Sequence, residues 1–153
     1  MLMGKVTVVG SIGVMPPKQH WLVKSEPEEW SWQDQLTRGE AGEIWSGVRN
    51  HQAANHLKAM LPGDQVLFYH SGKRREIVGI AEVTKAAYPD PTDETGKFVA
   101  VTIKAVKTLK KPVSLAEIKS DNQLAEMPLV KQSRLSVMPI AANYWQILMK
   151  KAS

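Results

Sequence analysis

The chain has 153 residues, of which 43% are hydrophobic and 23% are charged, so it is typical of one globular domain and is neither disordered nor fibrous. The absence of cysteine excludes disulfides, thiol catalysis and cysteine-ligated metal centres. The 20 Lys and Arg residues exceed the 15 Asp and Glu residues, and the resulting net charge of +5 is compatible with a polyanionic partner. No apolar run approaches the ~18–20 residues of a membrane span, so we expect no membrane partner and, with the lack of cysteine, a cytoplasmic location.

The first 18 residues are predicted to form a flexible extension. A short apolar stretch, Val6–Met15, is interrupted by two glycines and ends at Pro16-Pro17. A lysine before an apolar run also occurs in signal peptides, but no small-residue cleavage pattern follows this one. We therefore expect residues 1–18 to lie outside the folded domain, which spans residues 19–153.

Short strands and helices alternate in the first half of the domain. Ser25 and Glu28 have the spacing of a capping box, which predicts a helix that starts there. Apolar residues at helical spacing follow Asn50, which is typical of an N-cap. The predicted elements are a strand at 20–24, a helix from 25 to 36, an extended segment at 43–46 and a helix at 50–61.

Strands dominate the second half, and their connections limit the possible topologies. Strands are predicted at 65–71, 77–83 and 98–106, a helical turn at 115–119, an extended segment at 135–140 and a helix at 141–150. The loops between the three strands are too short for crossover helices, which argues against a parallel doubly wound sheet. The sequence therefore favours an α+β fold in which a small mixed or antiparallel sheet closes into a barrel flanked by short helices.

Sequence signatures of catalysis are absent. The chain has no Gly-x-Gly-x-x-Gly, no Walker A motif and no Gly-x-Ser-x-Gly elbow, and its four histidines lack metal-ligand spacing. His70 and Ser71 are neighbours on a predicted strand, so their side chains point to opposite faces and do not form a nucleophilic pair. We expect no catalytic residue, no metal and no cofactor, and a small hydrolase that uses His70 or Asp90 is kept as an alternative.

Aromatic and small polar residues cluster near the ends of the predicted elements. A site for a flat polar heterocycle needs an aromatic wall, donors and acceptors for the ring edge, and cations for a phosphate. These segments supply all three, and five tryptophans against two phenylalanines fit such a site. The residues are Lys24, Ser25, Trp45, Ser46, Val48, Arg49, Asn50, Tyr69, His70, Ser71, Tyr88 and Asp90.

Several of these residues also have ordinary structural interpretations. Ser25 and Asn50 are typical of helix caps, and Trp45 is as compatible with a core position as with a pocket. Trp21, Trp30 and Trp145 have apolar neighbours and are typical of a core. Residue patterns alone leave both interpretations open.

A set of motifs in a fixed order goes further than any single residue. The segments are Trp21–Pro27, Trp45–Ala53, Gly63-Asp64 followed by Phe68–Ser71, Tyr88–Thr92, and Leu135–Ile140 followed by Trp145. Together they resemble the EVE domain family over nearly the whole chain, from about residue 21 to residue 147. The resemblance implies a PUA-like pseudo-barrel that reads modified bases, most often modified cytosine in DNA, without catalysing a reaction.

The resemblance also implies roles for individual residues. EVE domains are related to YTH domains, which enclose methylated adenine in an aromatic cage, and Lys24, Ser25 and Trp45 fall where YTH domains place a Lys-Ser pair and a cage tryptophan. Tyr88 is the predicted second cage aromatic, with Trp30 as the next choice. A PUA-like module that binds tRNA or another structured RNA is the main alternative.

The basic cluster Lys73-Arg74-Arg75 is predicted to contact phosphates, and ordinary surface charge on a solvated loop is the alternative. Rotating a base out of a duplex costs a few kcal/mol, whereas stacking on an aromatic wall returns about 1–3 kcal/mol. The affinity of one domain should therefore be modest. We expect a nucleic-acid partner, together with a companion enzyme or a homodimer.

Overall fold

The computed structural model describes residues 18–153. Within them, the strands are β1 (His20–Ser25), β2 (Glu43–Trp45), β3 (Gln65–His70), β4 (Glu76–Pro89), β5 (Val99–Ser114) and β6 (Val137–Pro139). The α-helices are α1 (Trp32–Thr37), α2 (His51–Ala59), α3 (Leu115–Lys119), α4 (Pro128–Lys131) and α5 (Ala142–Ala152), with 3-10 turns at Gly39–Ala41 and Asn122–Leu124. The extension predicted at 1–18 lies outside the described residues except for Lys18 and stays a prediction.

The six strands form one curled sheet, a half-barrel, in the order β2-β5-β4-β3-β1-β6. Strands β1 and β3 run parallel, with Ser25 opposite His70, and the other neighbouring strands are antiparallel. Repeated register shifts between β4 and β5 bend the sheet, as β-bulges do. The predicted α+β fold with a mixed sheet is therefore confirmed.

Strands β4 and β5 are longer than the sequence patterns predict. Strand β4 continues to Pro89 because its last residues pair with the start of β5. Strand β5 continues to Ser114 because its last residues pair with the start of β4. Much of this pairing is exposed, so the residues are polar and lack the alternation that marks a half-buried strand. No helix among residues 18–153 has the length and apolarity needed to cross a membrane.

The start predicted for the first helix, at Ser25, is wrong, because α1 begins at Trp32. Ser25 remains in the sheet, where its carbonyl oxygen accepts from the Ser71 amide at 2.9 Å. Ser31 is the N-cap of α1, and its Oγ accepts from the Asp34 amide at 3.0 Å. The Ser-x-x-acid spacing occurs twice here, and parallel pairing with β3 takes the first serine into the sheet. The predicted cap of α2 is confirmed, since Asn50 Oδ1 accepts from the Ala53 amide at 2.9 Å.

The core is built around Phe68 of β3, whose side chain is completely buried. The rings of Trp32 and Trp45 pack edge-on against it, with centroids 5.2 and 5.6 Å away. Helix α1 lies this close to the sheet because residue 79 is glycine. A Cβ at Gly79 would lie 2.3 Å from a Trp32 ring carbon, so only glycine fits under that ring.

Candidate functional site

A cleft of about 560 Å³ opens where β1, β2 and β3 end. Strand β1 and the turn after it contribute Lys24, Ser25 and Trp30. Strand β2 and the segment after it contribute Trp45, Ser46, Val48 and Arg49, and Ser71 comes directly after β3. The structure therefore brings together eight of the thirteen residues predicted for a base pocket.

Two tryptophans wall the cleft. Trp45 is 9% exposed, and it belongs to the core through Phe68 while also lining the cleft, so both sequence interpretations of Trp45 hold. Trp30 is half-buried, and its Nε1 donates to Gln35 Oε1 at 2.8 Å. Gln35 is completely buried and donates from Nε2 to the Ile103 carbonyl of β5 at 3.0 Å. Trp30 is thus held by a hydrogen-bonded chain that ends in the sheet.

Lys24 and Ser25 lie at the end of β1 and line the cleft together with the two tryptophans. Ser25 Oγ donates to the Trp30 carbonyl, which ties the turn after β1 to the strand. Lys24 Nζ donates to the Ser133 carbonyl at 2.9 Å and lies 5.7 Å from the centre of the Tyr69 ring. Burial lowers the pKa of Lys24, because removing the ammonium from water disfavours its charged form.

Asp90 fixes the segment that forms the rim, although it does not line the cleft. Its buried carboxylate accepts from the Gly47 amide at 2.8 Å, from Arg49 Nη1 at 3.0 Å and from the Thr92 amide at 2.7 Å. Burial opposes ionisation of Asp90, but the hydrogen bonds from Thr92, Gly47 and Arg49 outweigh it and lower its pKa to about 2. Asp90 is therefore ionised and holds Arg49 in place.

Tyr88 does not line the cleft, and its role as the second cage aromatic stays a prediction. Strand β4 continues through Tyr88, which pairs with Ala100. Its hydroxyl is 2.7 Å from Thr102 Oγ1, and Lys85 Nζ lies 4.5 Å from its ring centre. Because β4 continues to Pro89, beyond the strand end predicted at residue 83, Tyr88 is part of the sheet, whereas Trp30 lines the cleft.

Three further predicted residues lie outside the cleft for related reasons. Tyr69 is only 3% exposed and belongs to the core. His70 Nε2 accepts from the Trp32 amide at 3.0 Å, which ties α1 to β3, and burial lowers the pKa of His70. Asn50 uses its side chain to cap α2.

Sequence reasoning missed the acidic side of the cleft. Glu26, Glu29 and Glu43 line it, and Glu43 pairs with Arg38 Nε at 3.3 Å. Glu26 lies inside a motif of the family resemblance, but its residue type alone gives no signal. The cleft thus offers aromatic faces, carboxylate acceptors and the cations Lys24 and Arg49.

The basic cluster Lys73-Arg74-Arg75 forms the turn between β3 and β4. Together with Lys119 it lines a hollow of about 300 Å³, which we call the hairpin hollow. Arg74 lies 3.9 Å from Glu76, whereas Lys73 and Arg75 have no ion pair within residues 18–153. In the part of the chain that the structure describes, no three histidine or acidic side chains converge as a metal ion requires.

The chain is similar in sequence and in structure to known proteins. A family model described as "EVE domain" matches residues 19–151. Human thymocyte nuclear protein 1 is 32% identical over 162 aligned residues, which cover 85% of this chain and 72% of the relative. A Rhodopseudomonas palustris protein solved by NMR is 55% identical, with a TM-score of 0.84 over 88% of this chain and 92% of that chain. The structure of human THYN1 in complex with DNA containing 5-methylcytosine is 32% identical, with a TM-score of 0.83 over 89% of this chain and 98% of that chain.

Proposed function

The chain belongs to the EVE domain family, and from this premise we propose that its cleft binds a modified nucleobase, with modified cytosine in DNA as the first choice. The observation that carries the proposal is that Trp30 and Trp45 both line a cleft with polar side chains at the strand ends. The complex of human THYN1 with DNA containing 5-methylcytosine supports the same ligand class.

Each group in the cleft has a role that matches a flat base. The faces of Trp30 and Trp45 stack on the ring, which is worth about 1–3 kcal/mol per base. The carboxylates Glu26 and Glu29 accept hydrogen bonds from an exocyclic amine, a group that cytosine has and that thymine lacks. Arg49 is held at the rim by Asp90, which partly offsets its charge, and its guanidinium donates to the attached phosphate.

The cost of rotating a base out of a duplex and the gain from stacking determine how tightly the cleft binds. Unstacking and rotating a base out of a duplex costs a few kcal/mol, which is comparable to the stacking gain. A methyl group that fills an apolar notch adds about 1–3 kcal/mol of discrimination. We therefore expect modest affinity for duplex DNA and tighter binding to single-stranded or mismatched sites, where the cost of rotating the base is smaller.

The test is a titration of matched oligonucleotides that differ only in one methyl group. Single-stranded and duplex DNA with one 5-methylcytosine or one cytosine, and the corresponding RNA strands, are each labelled and titrated by fluorescence anisotropy. The proposal expects tighter binding to methylated DNA than to plain DNA. Equal affinity for modified and plain strands in every context would overturn it, and a preference confined to RNA would establish the RNA-binding alternative.

His70 and Asp90, the residues of the hydrolase alternative, both have structural partners. A general base needs a free lone pair, and the lone pair of His70 Nε2 already accepts a hydrogen bond from the Trp32 amide. The Asp90 oxygens accept from Gly47, Arg49 and Thr92 and face the rim segment. We therefore assign both residues to the architecture of the fold and propose no reaction.

A further inference from the structure

A second concave surface lies beside the cleft. It is a polar groove of about 320 Å³ formed by the start of α2 and the segment after α4, and we call it the Arg134 groove. It combines the cations Lys131 and Arg134 with the neutral hydrogen-bonding side chains of Gln52, Gln132 and Ser133. Sequence patterns gave no indication of this surface, and the binding of a base in the cleft does not use it.

The charge in the groove is concentrated on Arg134. Lys131 Nζ lies 3.4 Å from Glu126, so its charge is partly offset. Arg134 is exposed and has no ion pair within the described part of the chain. An exposed guanidinium among amide and hydroxyl groups is the combination that proteins use to hold phosphate and sugar oxygens without reading sequence.

The sheet order places this groove and the hairpin hollow on opposite sides of the cleft. Strand β1 lies between β3 and β6, and its last residues, Lys24 and Ser25, line the cleft. On one side, the Ser71 amide donates to the Ser25 carbonyl at 2.9 Å, and the basic hairpin turn follows directly. On the other side, the Lys24 amide donates to the Ser136 carbonyl at 3.0 Å, two residues after Arg134.

The groove is also joined directly to the cleft. Lys24 Nζ lines the cleft and donates to the carbonyl of Ser133, which lines the groove. Arg49 lines the cleft, and its chain neighbour Asn50 lines the groove. A polymer whose base enters the cleft therefore has its backbone beside one or both of these cation-lined surfaces.

We propose that the Arg134 groove binds the phosphate backbone of the strand whose base lies in the cleft, so that the strand crosses β1 from the Arg134 groove to the hairpin hollow. This inference rests on the proposed function, and it adds a sequence-independent contact to it. Contacts of this kind set affinity and salt dependence, whereas the contacts in the cleft set the preference for the modified base.

The test compares Arg134→Ala with two other variants. Lys58→Ala removes one exposed positive charge from α2 that lines neither the cleft nor the groove nor the hairpin hollow, and is the charge-matched control. Trp30→Ala removes one wall of the cleft. Each protein is titrated with methylated and plain single strands, as DNA and as RNA, over a series of salt concentrations, and with the free modified nucleoside, which has no phosphate.

The inference expects Arg134→Ala to weaken binding to all strands by the same factor and to lower the slope of log affinity against log salt by about 1. The ratio of affinities for methylated and plain strands should not change, and neither should binding of the free nucleoside. Lys58→Ala should leave the salt slope as it is in the wild type. An unchanged slope in Arg134→Ala, or a loss confined to methylated strands, would overturn the groove assignment.

The two proposals fail in distinguishable ways. If the wild-type protein shows no preference for methylated strands and Trp30→Ala changes nothing, the base-binding function is wrong. If that preference exists and depends on Trp30 while Arg134→Ala behaves like Lys58→Ala, only the groove assignment is wrong. Thermal unfolding of each variant shows whether it is folded, and an exposed arginine in a loop is not expected to affect folding.

Discussion

Replacing Trp30 with alanine is the most direct test of the cleft. Trp30 lines the cleft, is only half-buried and contributes one of the two aromatic faces. Loss of stacking on one base costs about 1–3 kcal/mol, which corresponds to a roughly 5- to 150-fold loss of affinity. Trp30→Phe should recover part of that loss, because a smaller ring still stacks.

The structure also indicates how far Trp30→Ala should lower the free energy of unfolding. The substitution leaves the buried Gln35 Oε1 without its donor, which costs about 1–3 kcal/mol. Trp45→Ala should cost more, about 3–5 kcal/mol, because Trp45 is 9% exposed and packs against Phe68. Trp30 therefore separates binding from stability better than Trp45 does.

Trp145→Ala is the matched control for this measurement. Trp145 is also half-buried, but it lies on α5 with its ring 4.2 Å from that of His20 and does not line the cleft. Anisotropy titrations with a methylated strand and urea unfolding are carried out on the wild type and on the Trp30→Ala, Trp30→Phe, Trp45→Ala and Trp145→Ala variants. Trp145→Ala should lose stability while binding as the wild type does. If Trp30→Ala binds like the wild type, or if Trp145→Ala loses affinity equally, the reasoning about the cleft is refuted.

Three other predictions follow from single contacts. Gly79→Ala should destabilise the protein by at least about 1–3 kcal/mol, seen as a lower Tm, because its Cβ would lie 2.3 Å from the Trp32 ring; an unchanged Tm would contradict this packing. Asp90→Asn should reduce both stability and affinity at pH 7, since it releases Gly47 and Arg49. The pKa of Asp90 is lowered to about 2, so the stability that its carboxylate provides is fully present above the ordinary pKa of 3.8 and is lost as the pH falls through 2. The difference in free energy of unfolding between Asp90→Asn and the wild type, measured by urea unfolding, should therefore shrink over that pH range. Burial lowers the pKa of His70 below its ordinary value of 6.5, so stability should fall as the pH drops below 6.5, and an NMR titration that gives a value above 6.5 would contradict the burial argument.

Local signals in the sequence were sufficient where the chain makes local contacts. Asn50 caps α2 through an amide three residues away, so its role is encoded within one turn. The strand at His20–Ser25 and the extended segment at Glu43–Trp45 depend on short apolar patterns and were also predicted correctly. The order of motifs identified the family because it combines many such local features.

Errors occurred where distant pairing overrides a local signal. Ser25 has the spacing of a cap, but pairing with a strand 45 residues further along keeps it in the sheet. Tyr88 lies among prolines that suggest a loop, yet its pairing with Ala100 extends β4 through it. Ser25 still lines the cleft from the end of β1, whereas the extension of β4 leaves Tyr88 outside the cleft lining.

Trp30, the next choice for the second wall, could not be ranked above Tyr88 from the sequence, because Trp30 is held by residues that are far apart in sequence. The chain of hydrogen bonds runs from Trp30 through Gln35 to Ile103, which is 68 residues beyond Gln35. The first wall, Trp45, is likewise held by Phe68 from β3. Both aromatic walls are therefore fixed by the core before a ligand arrives, so little side-chain freedom is lost on binding. Under the proposed function, a pre-formed cleft of this kind favours recognition of one flat shape, and we expect Gln35, which is completely buried and lies outside the cleft lining, to act as a positioning residue for the site.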